Sequence, residues 1–417
     1  MFKAFDPGAR RPWKTRRAEE PQVKHSRWII LFVFMIAHGV NDGFMWVIPP
    51  LLPAIREYFH LSYTEMGGFL TIYRLFGSVL QAPAAYLVHM APIHYLLVGG
   101  LLLSSVGMLI ATMSAGYAML TWIAAISGMG RATYHPLAIT ALSRLFGRDA
   151  FGRAMALHLS GSSTGMMVAP FLVGLLLATY GWRLPLQIWS TMGILAGLIL
   201  FVFLTRSRVN LQPQGKTLRW PFFSSSLGLY LLAVSAWSIA QSGLISFLPL
   251  FLVDRRGFSP AAAAAAFGVM SVAGTVCRPA LGALMDWMGR RKPVVVGGFL
   301  IASLTTLVIA TVGQQWLLYA AIVLLGIFGS GHLGLADTMM IEMIPSDRRE
   351  ETLGAAYTGR MGIASLSPFL VGVAAERLGM TASFLLLAAT GGLSVLLLLL
   401  VEERPIDESR TVSDQQR

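Results

Sequence analysis

Apolar residues in this chain gather into long runs divided by short polar breaks. A run of roughly 20 residues crosses about 30 Å of hydrocarbon, and twelve such runs are present: 28–55, 64–88, 92–113, 117–145, 151–179, 183–204, 226–252, 259–285, 293–313, 316–343, 351–376 and 380–401. The pattern predicts an all-α membrane protein with twelve transmembrane helices. The longest polar break, TRSRVNLQPQGKTLRWPFFSSS, covers 205–226 and splits the helices into two sets of six. The expected organisation is a tail at 1–27, a first half at 28–204, a linker at 205–225, a second half at 226–401 and a tail at 402–417.

Composition agrees with that pattern. Of 417 residues, 55% are hydrophobic and only 12% charged, with a mean hydropathy of +0.65, beyond what a soluble domain of this length needs. The single cysteine, Cys277, lies in an apolar stretch, which excludes an internal disulfide and a cysteine-based metal site. The net charge of +12 is spread along the chain with no nucleic-acid motif around it, so no nucleic-acid partner is expected. Instead it marks one face of a membrane. Twenty-three Lys and Arg residues fall in the two tails and the even-numbered loops, against five on the opposite side, Arg56, Arg183, Arg255, Arg256 and Arg377. That bias predicts both termini in the cytoplasm, in a plasma membrane such as the bacterial inner membrane. The first 27 residues lack the short apolar core and cleavage site of a signal peptide and are expected to stay attached.

The halves also resemble each other. PFLVG occurs at 170–174 and again at 368–372, an offset that brings Gly161 over Gly359 and Gly181 over Gly379; at nearby offsets Pro49 falls over Pro249 and Leu87 over Leu284. Two six-helix units in one orientation are parallel repeats, with a transport site expected between them near the midplane.

The loop after the eighth run reads GALMDWMGRRKP. Its Gly282, Leu284, Asp286, Gly289, Arg290, Arg291 and Lys292 fit the pattern G-x-L-x-D-x-x-G-R-[KR], and the whole chain resembles the major facilitator superfamily. The resemblance implies a gating role for this loop, with Gly282, Asp286, Gly289, Arg290 and Arg291 holding helix ends together. The matching first-half loop, AAYLVHMAPIHY, carries Ala85 and His89 where the pattern wants Gly and Asp. H-x-x-N-D in the first run, the following PPLLP, Gln81 and YHP at 134–136 are similar to the fosmidomycin-resistance type of exporter. Gly165, Ala169, Pro170 and Gly174 are similar to the pattern associated with antiporters, and helix packing alone would also account for them. A competing likeness is to monocarboxylate and organic-anion carriers, where an arginine like that of R-P-x-x-G at Arg278, Pro279 and Gly282 meets a substrate carboxylate.

Ionisable residues within spans are costly and mark pathways by default. Here they occupy runs 1, 2, 4, 5, 8, 10 and 11 and avoid the interiors of 3, 6, 9 and 12, which the resemblance makes the lipid-facing helices. Asp42 stands 14 residues after Trp28, roughly 21 Å into the membrane at 1.5 Å per residue, and Arg74 reaches a comparable depth. Asp42 is the candidate proton carrier, His38 its relay partner one turn away, and a contact between Asp42 and Arg74 is expected. A structural ion pair is the alternative. Arg74, Arg131, His135, Arg278, Arg360, Asn41 and Gln241 are candidate substrate contacts, since a guanidinium suits an anion's oxygen pairs. Alternatively, Arg278 or Arg360 pairs with Asp337, a counterpart of the helix 4 cluster together with His332. His158, Tyr73, Trp46 and Trp237 are candidate cavity lining.

No phosphate-binding loop occurs. The expected function is therefore secondary active transport of a small organic solute, anionic or drug-like, coupled to protons and directed outward by alternating access. Uptake of an organic anion is the alternative, and a non-transporting receptor the reading from another class. No enzyme activity, cofactor or metal is expected, because His38, His135, His158 and His332 lie on four separate helices. Partners are the substrate, protons and the lipid bilayer, and the chain is expected to act as a monomer.

Overall fold

The structure, a computed structural model, describes residues 21–87, 90–206, 220–331, 333–345 and 348–402. Residues 1–20 and 403–417 of the tails, most of the linker, His89 and His332 lie outside them, and 21–27 of the expected tail belong to the first helix. The first half comprises α1 (Pro21–Phe59), α2 (Tyr63–Val79), α3 (Gln81–Leu87), α4 (Ile93–Ala111), α5 (Tyr117–Ala132), α6 (Tyr134–Leu145), α7 (Arg148–Tyr180) and α8 (Arg183–Arg206). The second comprises α9 (Ser225–Arg256), α10 (Pro260–Met288), α11 (Lys292–Thr311), α12 (Gln315–Leu325), a π-helical turn at Gly326–Ser330, α13 (Leu333–Glu342), α14 (Arg349–Ala364), α15 (Ser367–Leu378) and α16 (Met380–Leu400).

Among the described residues, ten stretches are apolar and long enough to span a bilayer, two of them made of consecutive helices, α12 to α13 and α14 to α15. The other two expected crossings are paths broken in the middle: α2 and α3 part at Leu80, and α5 and α6 at Thr133. With these, every predicted run has its helix. The break at Thr133 has a counterpart in the second half, because the repeat offset carries it to Gly331, the residue that ends the π turn. Backbone irregularity at membrane depth is tolerated where it is buried in protein or lines a cavity, and π turns concentrate at functional sites. The repeat recurs in the connections. Gly181 and Gly379, paired by sequence, both adopt positive φ, 72° and 89°, at the same inter-helix turn. Gly161 and Gly359 do not share an environment, since only the first is pressed against another backbone.

Helix association in a bilayer rests on close packing of small residues, and the first half does this at the α1–α7 crossing. A Cβ on Gly39 would stand 2.8 Å from the Gly161 carbonyl oxygen, and one on Gly165 would stand 2.7 Å from Gly39 Cα. The close crossing brings Asp42 and Ser162 into reach of each other. Trp189 on α8 donates to the Val40 carbonyl at 3.0 Å, closing the third side of α1. In the second half α9 is central. Its Trp237 stacks on Phe299 of α11 at 4.5 Å and its Phe251 on Phe384 of α16 at 4.2 Å. The predicted lipid-facing helices do turn apolar side chains outward: Leu103 and Val106 on α4, Leu195 and Leu198 on α8, Leu304 on α11, Leu396 and Leu400 on α16. A scattered outer face of Leu and Val is what a hydrocarbon solvent permits.

The two halves are tied together on the side away from the tails. Arg56 at the end of α1 meets Asp254 at the end of α9 at 2.9 Å. Tyr63 donates its hydroxyl to Asp254 at 2.7 Å and its backbone N–H to Glu376 at 2.9 Å. Below this seal, the Phe369 N–H bonds Thr71 Oγ1 at 3.0 Å, where α2 and α15 approach through Gly67 and Gly372.

The α1–α7 crossing yields a direct test. Gly165→Leu forces a side chain into the Gly39 backbone, and overpacking costs about 1–3 kcal/mol or more; the variant is expected to lose its monodisperse peak on detergent size-exclusion chromatography. Gly152→Ala, in open space, is the control expected to behave as wild type.

Candidate functional site

Asp42 lies one helical turn beyond His38 on α1, so both side chains share a face. The tertiary structure then adds α6 and α7 to that face. Asp42 Oδ2 is 3.1 Å from His38 Nε2 and accepts from Ser162 Oγ at 2.5 Å. Its Oδ1 is 3.1 Å from His135 Nε2 and accepts from Asn41 Nδ2 at 3.1 Å. A carboxylate offers about four lone-pair sites; Ser162 and Asn41 donate to two of them, and the two imidazole nitrogens stand within hydrogen-bond distance of the oxygens. His38 itself is buried and its Nδ1 stands 3.0 Å from the His158 carbonyl oxygen. A carbonyl only accepts, so Nδ1 carries the hydrogen and donates. His158 stacks its ring on His38 at 4.1 Å. Tyr134 contributes structure, donating to the Phe34 carbonyl at 2.7 Å and thereby pinning α6 to α1.

Three of the four intramembrane histidines, scattered in sequence, are thus gathered around one carboxylate, which corrects the expectation that their helices keep them apart. The expected Asp42–Arg74 contact is not formed. Arg74 donates instead across the half-to-half boundary, to Ser242 Oγ at 2.7 Å and to the Ser242 carbonyl at 3.2 Å. The reason is positional: His38, His135, Ser162 and Asn41 already occupy the space around Asp42.

Arg131, at the end of α5, is buried and has no acidic partner among the described residues. Its guanidinium lies 5.8 Å from the Tyr73 ring centroid and against Gly77, close enough to Arg74 for the two cations to repel. Neighbouring groups are left wanting. Tyr73 Oη, Arg131 Nε and Asn41 Oδ1 are buried without a hydrogen-bond partner. Tyr73 Oη and Arg131 Nε are donors and Asn41 Oδ1 is an acceptor, and buried polar atoms in folded proteins are almost always satisfied.

The second-half candidates divide. Arg360 is buried and contacts Asp337 at 2.9 Å, the alternative weighed above, so this pair is close to neutral. Arg278 on α10 is half-buried with its Nε unpartnered and no acid beside it among the described residues. Gln241 donates Nε2 to the Gly329 carbonyl at 2.7 Å, a carbonyl that the π turn leaves outside the regular ladder; that donor serves the backbone. Trp46 and Trp237 are packed in the apolar core.

The basic loop does join helix ends. Gly289 caps α10 with φ 62°, Arg291 Nε reaches Glu342 of α13 at 2.6 Å, and Lys292 Nζ donates to the Leu399 and Val401 carbonyls at the end of α16, at 2.9 and 2.6 Å. Gly282 has open space around it and Asp286 is exposed. Sequence reasoning missed Ser162 and Ser242. The signal for Ser162 was the run SGSST at 160–164, five small polar or Gly positions in a membrane helix.

The described residues form an all-α membrane protein of two helical halves, each with buried charge in its interior. The sequence profile of the Major Facilitator Superfamily matches residues 34–302 and 275–416, and the chain belongs to that family. The Bacillus subtilis protein named Uncharacterized MFS-type transporter YfnC is 22% identical over 95% of this chain and 98% of its own length. The Escherichia coli Fosmidomycin resistance protein is 22% identical over 69% and 72%, and the Staphylococcus haemolyticus Probable nitrate transporter NarT 26% identical over 75% and 80%. Among solved structures, a bacterial homologue of the human lysosomal transporter Spinster, inward-facing and occupied, superposes with a TM-score of 0.76, covering 90% of this chain and 96% of that one at 18% identity. The nucleoside transporter NupG gives 0.75, covering 90% and 100% at 10% identity.

Gln241→Ala would leave the buried Gly329 carbonyl unpaired, at about 1–3 kcal/mol. The expected outcome is a lower Tm in detergent with unchanged substrate affinity; an unchanged Tm would refute the structural assignment.

Proposed function

We propose that this family member is a proton-coupled secondary transporter that exports a small organic anion by alternating access. It acts as a monomer in the plasma membrane, a bacterial inner membrane, with both termini cytoplasmic. The observation that supports the reading is the buried cluster of Asp42, His38 and His135 in a half that also buries two guanidiniums, Arg74 and Arg131, without an acidic partner among the described residues. His38 donates through Nδ1, so the space between its Nε2 and Asp42 Oδ2 holds either a proton or two opposed lone pairs. The first is favourable and the second is not. One exchangeable proton between α1 residues, next to an anion pocket, is what coupling needs.

The Arg56–Asp254–Tyr63 seal on the side away from the tails, with both tails in the cytoplasm, corresponds to the inward-facing state. A cytoplasmic anion that occupies the Arg74 and Arg131 pocket would weaken the Arg74 bond to Ser242 of the other half and so favour rocking. Loop residues Arg291, Lys292, Arg290, Asp286, Gly282 and Gly289 would hold the second half together as it moves. Arg278 and Asn41 are the further substrate contacts of this reading. The relative named for fosmidomycin resistance favours efflux, and a phosphonate-like or carboxylate-bearing compound suits the arginines. The opposite direction, anion uptake, has its own support in the same unpaired arginines and in the relatives named as probable nitrate transporters.

Flux into proteoliposomes under an imposed pH gradient, with a panel of carboxylates and phosphonates, tests the reading. Asp42→Asn is expected to abolish gradient-driven flux while leaving substrate exchange measurable, and unchanged driven flux would sink the assignment. Arg131→Gln is expected to raise KM at least about tenfold, the loss of one charge-assisted hydrogen bond, with the pH dependence of flux retained.

A further inference from the structure

We propose that His38, His135 and Asp42 form a binding site for one divalent first-row transition-metal ion, with Zn²⁺ the best-matched species. The three ligand atoms, His38 Nε2, His135 Nε2 and an Asp42 carboxylate oxygen, lie within 4.8 Å of one another, and each imidazole nitrogen is 3.1 Å from the carboxylate. The two imidazoles face different oxygens of the carboxylate. Tetrahedral zinc with bonds of about 2.0–2.2 Å separates its ligands by about 3.3 Å, so no pair has to close by more than about 1.5 Å, within the reach of side-chain rotation. Two imidazoles and one carboxylate suit zinc, nickel, cobalt or copper, and are the wrong set for Mg²⁺ or Ca²⁺, which take oxygens.

Orientation is already arranged. His38 Nδ1 donates to the His158 carbonyl, which turns the lone pair of a neutral imidazole at Nε2 toward Asp42, and Nε2 is buried with no hydrogen-bond partner. A ring nitrogen tied to a backbone carbonyl is the usual outer support of a metal-binding histidine. Ser162 and Asn41 hold the two carboxylate oxygens in the same manner, and the stacked His158 ring fixes the plane of His38. Access is one-sided: the His38 side chain is 2% exposed, Asp42 17% and His135 34%. The wall is dry at the back and open at His135, leaving the fourth position to water or to an oxygen of an anionic solute. With one carboxylate, a divalent ion leaves the site one positive charge in excess, which such an oxygen would neutralise. The metal would sit where the proton sits, so the two occupants exclude each other, but metal binding itself does not depend on the transport reading.

The test uses the full-length protein in detergent with any affinity tag removed. Co²⁺ is the spectroscopic probe and Zn²⁺ the calorimetric one. One Co²⁺ per chain with the intense visible absorption of a four- or five-coordinate site, displaced by Zn²⁺, is expected. His135→Ala, whose side chain is about one third exposed, and Asp42→Asn should each weaken binding at least about tenfold while keeping the monodisperse peak of the wild type on size-exclusion chromatography. Cys277→Ser, on α10 of the other half, should leave it unchanged. Zn²⁺ should also raise the Tm of the wild type and not that of His135→Ala. Absence of stoichiometric Co²⁺ binding, or equal affinity in His135→Ala, overturns the proposal. None of these readouts involves flux, so a failure here is separate from a failure of proton coupling.

Discussion

A carboxylate at mid-depth in a membrane helix has no water to solvate it, and each of its lone pairs must find a donor or a cation within the protein. Asp42 meets that constraint through four side chains drawn from α1, α6 and α7. Much of the first half follows from the requirement. The helices must approach closely for Ser162 to reach Asp42, and Gly39, Gly161 and Gly165 make that approach possible. His135 reaches Asp42 from the first turn of α6, just after the helix boundary at Thr133.

The second half answers the same constraint differently. Its buried Asp337 is matched by one arginine, Arg360, while Tyr230 donates to the neighbouring Ala336 carbonyl at 2.5 Å. An arginine–carboxylate pair keeps its charges fixed, since the guanidinium does not release its proton. An imidazole–carboxylate cluster can exchange one. Among the described residues, the imidazole–carboxylate cluster is therefore in the first half and the second half holds its buried acid with an arginine. Arg74, bonded to Ser242, is the polar link between these two environments.

Much of this was legible from residues alone. Twelve apolar runs, the repeat at 170–174 and 368–372, the basic loop at 282–292 and the inventory of intramembrane charges all follow from spacing and composition, because a bilayer imposes span length and penalises charge residue by residue. The pairing of Asp42 with His38 was equally legible, since helical periodicity alone places them on one face. Arg131 was a candidate anion contact through the family resemblance of its helix, and among the described residues it has no acidic partner.

Periodicity says nothing about which helix stands beside which, and the remaining features lie there. Asp42 was expected to meet Arg74 on depth alone, yet depth is shared by residues on every helix, and the neighbours that won were His135 and Ser162, roughly 90 to 120 positions away in the chain. The same ambiguity hid the diversion of Gln241 to the π turn, a local defect with no sequence rule behind it. Sequence by itself determined the fold class, the repeat and the list of costly residues, because those depend on one residue's interaction with the bilayer. Only the tertiary structure decided the partners, because contact at the midplane depends on how small residues let particular helices cross.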